Sequence, residues 1–193
     1  MMSKLTDAFR LFDDYNTQDP HTLVWEGTEF PTEYFYAQQL YNWVTKLADS
    51  ASEALLLASR CQHIGRWKIP RDQYPPGKAG YLRWRTDLAK FHASEAEQLL
   101  KSAGYNDAEI AGVQRILLKQ NLKMDEEVQA IEDALCLVFL EFQFEDFIQK
   151  HDDDKLIRII QKSWRKMSEK GRTVALTLDY SPKAKLLLDK ALN

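Results

Sequence analysis

Chain breakers are scarce and clustered, and this limits what the chain can fold into more than any other feature. Among 193 residues there are seven Gly and six Pro, and three of each fall between Ile64 and Gly80. Gly and Pro punctuate turns, so a chain with few of them builds long elements and few hairpins. The expected fold class is therefore all-α.

Apolar periodicity places the helices. Ser3 caps a first helix carrying Leu5, Ala8, Phe9 and Phe12 at i, i+3, i+4, i+7 spacing, and Asn16 to Pro31 reads as a long loop. A second helix runs from Thr32 to about Ala48. Ser50 with Glu53 forms a capping box for a third, ending near His63 before Gly65. A fourth spans about Tyr81 to Ala103 and stops at Gly104. Asn106 with Glu109 opens a fifth, to about Gln120. The sixth, Asp125 to about Lys150, is the longest and most apolar. A seventh covers Asp153 to Lys170, with Gly171 read as its end, and Ser181-Pro182 starts a short eighth. No strand, repeat or linker is evident, and residues 1–193 read as a single domain.

At this length folding buries roughly 70% of the unfolded chain's surface, so the core needs neither disulfides nor a structural metal. Cys61 and Cys136 both sit in apolar helical surroundings and read as small core hydrophobes. The net charge of −3 argues against a binder of long nucleic acids. No apolar run approaches the roughly 18 residues of a membrane span, and MMSKLTDAFRLFDD places acidic residues where an export signal is apolar. The expectation is a cytoplasmic protein. Its oligomeric state is not legible.

Two groups of residues could carry chemistry. In the sixth helix Ala134 to Leu140 is apolar around the whole circumference, yet Glu132, Asp133 and Glu141 lie within or beside it. Asp133 shares a stripe with Leu137, Leu140 and Phe144, so it should point into protein, where an unpaired carboxylate is costly. It needs a cation, a metal or a donor network, and a structural role is the competing explanation. His92 shares a face with Leu88, Ala96 and Leu99, and His63 ends the third helix. One carboxylate and two imidazoles on three helices suit a divalent transition metal.

The second group is basic and aromatic. Arg60, Arg66, Lys68, Arg71, Lys78, Arg83 and Arg85 give seven cations in 26 residues, interleaved with Trp67, Tyr74, Tyr81 and Trp84. Arginine holds phosphate or carboxylate bidentately and aromatic rings stack on flat ones, so the mixture suits a small nucleotide-like anion. A solvated basic loop with aromatic anchors would look the same in sequence.

Leu57 to Trp67, Pro70-Arg71, Tyr74-Pro75, Gly80 to Arg85, Phe91 to Ala93 and Glu132 to Glu141 together resemble the family catalogued as domain of unknown function 4202, over nearly the whole chain. More distantly the layout is similar to the HD-domain superfamily of helical metal-dependent phosphohydrolases. Gln62-His63-Ile64-Gly65 falls where that superfamily has His-Asp-Ile-Gly, His92 at its later histidine and Asp133 at its final aspartate. Glu33 and Tyr36 occupy the region of its first histidine. The chain thus departs from the pattern by an amide for an imidazole and an imidazole for a carboxylate, which lowers the charge available to hold a metal.

The resemblance implies an HD-like helical bundle. It implies a divalent metal (Mn, Co, Ni, Fe, Zn or Mg) on Gln62, His63, His92 and Asp133, with Asp133, Glu132 and Glu33 as catalytic carboxylates. The substrate would be a small phosphorylated anion held by Arg66, Arg71, Tyr74, Tyr81, Arg83 and Arg85. The alternative is a catalytically silent pocket that binds a nucleotide or other small anion as sensor or adaptor.

Overall fold

The computed structural model describes residues 3–193. Helix α1 (Lys4–Asn16) opens on Ser3, whose hydroxyl accepts the Thr6 N–H. The expected loop after it holds a hairpin instead, β1 (Thr22–Trp25) and β2 (Thr28–Pro31), paired antiparallel from Thr22↔Pro31 to Trp25↔Thr28. Its two-residue turn, Glu26-Gly27, has φ of 49° and 78°, the mirror-image geometry that suits the right-handed twist of paired strands. Four-residue strands with no buried alternating face leave no periodic signal, and Pro31 reads as a breaker. The hairpin is anchored by Trp25, whose ring lies 4.9 Å from that of Phe142 and 5.8 Å from that of Phe35.

Helices α2 (Thr32–Leu47), α3 (Glu53–Cys61), α4 (Gly77–Ser102) and α5 (Asp107–Leu117) follow, then α6 (Glu126–Val138). The cap of α3 is Ser52, which accepts the Leu55 N–H, rather than Ser50. The capping box of Asn106 and Glu109 is formed on both sides. Between α3 and α4 the breaker-rich stretch makes two short 3₁₀ turns, Arg66–Lys68 and Arg71–Gln73. Gly65 carries φ of 66°, and a side chain there would meet the Tyr15 ring at 2.9 Å, so the turn after Gln62-His63-Ile64 requires glycine.

The expected sixth helix is interrupted by a π-helical segment, Phe139–Gln143, before α7 (Phe144–Lys150). The expected seventh also divides, into α8 (Asp153–Lys166) and α9 (Glu169–Ala175), followed by α10 (Pro182–Leu192). Helix α6 is the hub: Ile131, Ala134 and Leu137 have no exposed surface, and it packs against α2, α3, α5, α8 and α9. That packing accounts for its apolar circumference. No helix among the described residues is long and apolar enough to cross a membrane.

Candidate functional site

Two adjoining cavities share His63, Arg66 and Lys119 in their walls. The smaller, about 270 Å³, lies between the end of α3, the first half of α4 and the end of α5. Its polar wall consists of Gln62, His63, Arg66, Arg85, His92 and Lys119, with the rings of Tyr81 and Trp84 beside them and no carboxylate. Trp84 is fixed by donating its indole N–H to the Ile69 carbonyl at 2.8 Å, and the Arg66 guanidinium lies 5.1 Å from the Trp84 ring centre. Lys119 follows α5 in a left-handed conformation, φ of 53°, and its ammonium pairs with Glu132.

His92 sits 4% exposed on the inner face of α4. Its Nδ1 lies 2.7 Å from the carbonyl oxygen of Ile64. A carbonyl only accepts, so Nδ1 carries the proton and the neutral ring keeps a lone pair on Nε2. That nitrogen is buried and has no partner. Burial is the main cause holding its pKa down at about 4, with Arg66 adding to the depression against the opposing bond to Ile64. His63, half-buried, has its ring 5.8 Å from that of His92. Burial and then the positive groups of Arg66, His92, Lys119 and Arg85 hold its pKa well below the ordinary value. Gln62 donates to the Leu117 carbonyl at 3.3 Å, leaving Oε1 buried and unpartnered.

The larger cavity, about 520 Å³, opens beyond His63 and is walled by α2, α6, the π-helical segment and α7. Glu33, 9% exposed, lines it from the first turn of α2. Its backbone N–H is tied to Asp19 Oδ2 at 3.0 Å, and its carboxylate stands 3.8 Å from Arg66 Nε. Burial raises its pKa to about 7, outweighing Arg66, while Asp19 pushes the same way. Glu132, also in this wall, is 2% exposed. Burial raises its pKa, but Lys119 and Lys166, the latter at 3.0 Å, outweigh that and hold it below the usual carboxylate range.

Asp133 faces elsewhere. It lines a third cavity, separate from both histidines, and its Oδ1 accepts from the Ser168 N–H at 2.8 Å and from Gln129 at 3.0 Å. The Ser168 hydroxyl donates to Oδ2 at 2.5 Å. The donor network that a buried carboxylate needs is thus supplied by the start of α9 together with Gln129 of α6. A metal held by His63, His92, Gln62 and Asp133 together does not fit this arrangement. Among the described residues no group of three or more His, Cys, Asp or Glu side chains is placed to hold an ion. His92 by itself has the disposition of a metal ligand, with Nδ1–H on a carbonyl and Nε2 free.

Of the basic and aromatic residues, Arg66, Tyr81 and Arg85 line the smaller cavity. Arg71, Tyr74 and Arg83 line none of the three cavities. Arg71 staples the loop, donating to the Tyr74 and Pro75 carbonyls at 2.9 and 3.0 Å. Tyr74 donates to Asp87 at 3.1 Å, and the largely exposed Arg83 faces the same carboxylate at 3.9 Å. Loop composition could not separate cations that close a loop from cations that face a cavity. Sequence reasoning missed Lys119, which no motif marks, and Asn16, which closes α1.

Residues 6–188 match the family model described as domain of unknown function 4202, and the chain belongs to that family. No curated protein and no solved structure matches it.

Proposed function

We propose that the protein binds a small phosphorylated, nucleotide-like anion in the smaller cavity, as a sensor or adaptor built on an HD-like helical arrangement. The observation that carries this reading is the composition of the wall: Arg66, Arg85, Lys119 and two imidazoles around one space, with no carboxylate among them. Arg66 and Lys119 face Glu33 and Glu132, which lie outside this wall, whereas Arg85 has no carboxylate partner among the described residues, and an anion in the cavity would accept hydrogen bonds from all three. Trp84 and Tyr81 supply flat apolar faces for a ring. The HD-like part rests on the order Gln62-His63-Ile64-Gly65 and then His92, of which Gln62, His63 and His92 line the cavity. Asp133 does not follow that pattern.

A metal-dependent phosphohydrolase is the second reading, favoured by the free Nε2 of His92. Titration calorimetry with a panel of nucleoside mono-, di- and triphosphates, in the presence of a chelator, tests the first reading. Binding with heat, and no phosphate release when manganese, cobalt, nickel, iron, zinc or magnesium replaces the chelator, is expected. Phosphate release that depends on one of these ions would overturn it in favour of the hydrolase. No binding by any phosphate, either with the chelator or with any of these ions, would overturn both.

A further inference from the structure

Four side-chain atoms among the described residues are buried without a hydrogen-bond partner, and three belong to residues lining the two adjoining cavities. Gln62 Oε1 and His92 Nε2 belong to the smaller. The third is Oδ1 of Asn16, a residue in the wall of the larger. Asn16 is 1% exposed and ends α1. An unpaired buried amide oxygen is costly, so such groups mark places where something else completes the bonding.

The two cavities differ in chemistry. The smaller holds cations and no carboxylate. The larger adds acceptor-bearing residues to its wall: Asn16, whose Oδ1 is buried and unpartnered, Glu33 and Asp146. Of its cations, Lys119 and Lys166 are paired with Glu132 and Arg66 faces Glu33 at 3.8 Å, which leaves the exposed Lys150 as the one without a carboxylate partner among the described residues. Phe139, Phe147 and Tyr36 contribute apolar surface. The Glu33 wall is held by the strand hairpin, since Thr32 donates its N–H to the His21 carbonyl at 2.9 Å while Asp19 takes the Glu33 N–H.

We propose that the larger cavity is the subsite for the uncharged end of the ligand, and that this end donates hydrogen bonds, from hydroxyl or amino groups, to Asn16 and Glu33. The proposal rests on the anion-binding reading for the smaller cavity. The ligand is thereby a phosphorylated compound with a donor-bearing body, such as a phosphosugar or a nucleotide whose base carries an amino group, and not a phosphorylated lipid or simple alkyl phosphate. His63, Arg66 and Lys119, shared by both walls, stand at the junction of its two halves.

The test compares inorganic phosphate, pentyl phosphate, ribose 5-phosphate and AMP by calorimetry on the parent chain, on Asn16→Leu and on Ala37→Phe, which fills the larger cavity from α2. At least one donor-bearing phosphate should bind tenfold or more tighter than pentyl phosphate. Both variants should erase that advantage while leaving inorganic phosphate unchanged. Equal binding of pentyl phosphate and the donor-bearing compounds would overturn the subsite, as would variants that keep the advantage. If inorganic phosphate fails to bind the parent chain, the anion site is wrong. Ribose and adenosine then replace the phosphates, and their loss in both variants sustains the subsite while its absence overturns it. Should Asn16→Leu not fold, as judged by circular dichroism, Ala37→Phe and Glu33→Leu give the same decision.

Discussion

The Nδ1–H of His92 is bonded to the carbonyl oxygen of Ile64 at 2.7 Å, and that bond decides which face of the ring looks into the smaller cavity. With Nδ1 occupied, only Nε2 can meet a ligand, and at neutral pH it offers a lone pair rather than a proton. An anion there must bring or recruit a proton.

Anion binding should therefore be coupled to proton uptake. The free His92 has its pKa lowered to about 4. A bound phosphate favours the imidazolium and raises that value, so affinity should strengthen as pH falls from 8 to 6, by up to about tenfold per unit for one proton taken up. Calorimetry in buffers of different ionisation enthalpy counts the proton directly. His92→Asn should flatten the profile, and a parent profile already flat would remove His92 from the site.

Glu33 should make stability depend on pH in the opposite direction to an ordinary paired carboxylate. Its pKa in the fold is raised to about 7. The folded state thus holds the proton more tightly than the unfolded chain does. The contribution is fully present below the unfolded value and is lost as pH rises through about 7. Glu33→Gln imitates the protonated form. It should match the parent near pH 4 and exceed it at pH 8 by up to about 3 kcal/mol, the equivalent of the full shift. Urea denaturation at the two pH values checks this, and equal differences at both would place the carboxylate in contact with water.

Asp133 should prove structural. Removing its side chain in Asp133→Ala leaves the Ser168 N–H and Gln129 without their acceptor, at a cost of about 2–4 kcal/mol. Gly171 should be equally intolerant: a Cβ there would lie 2.6 Å from Asp133 Cγ, and Gly171→Ala should cost about 1–3 kcal/mol. Both variants should keep the parent's anion affinity at temperatures where they are folded. Loss of affinity in folded Asp133→Ala would return the residue to the site.

These contrasts show what the sequence made legible. Inward-facing Asp133 and His92 follow from helical periodicity, which is local, and both are buried. Their partners depend on how distant turns dock. Ligand type and the HD-like order join Asp133 to the histidines, whereas its carboxylate is engaged by Ser168, a cap 35 residues on. The break at Met167-Ser168 is invisible in a pattern that stays polar and apolar at helical spacing across it. Gly171 signals a helix end by composition, yet its role is steric and it lies inside α9. Lys119 carries no motif. It enters the site because the chain turns left-handed after α5 and carries the ammonium back toward Glu132.

The cations divide by what they touch, which gives the sharpest test of the site. Arg85 has no carboxylate within ion-pairing distance among the described residues and lines the smaller cavity, 5.9 Å from the Tyr81 ring centre. Arg83, two residues away on α4, points to Asp87. Hydrogen bonds to charged groups are worth about 1.5–3 kcal/mol, so Arg85→Ala should weaken phosphate binding roughly ten- to a hundredfold. Arg83→Ala should change it less than threefold, because a side chain that exposed interacts with the ligand only through solvent. Raising the salt concentration should weaken the parent more than Arg85→Ala. Equal effects of the two substitutions would mean that the anion is drawn by the surface charge of α4 as a whole, and the smaller cavity would then not be where it binds.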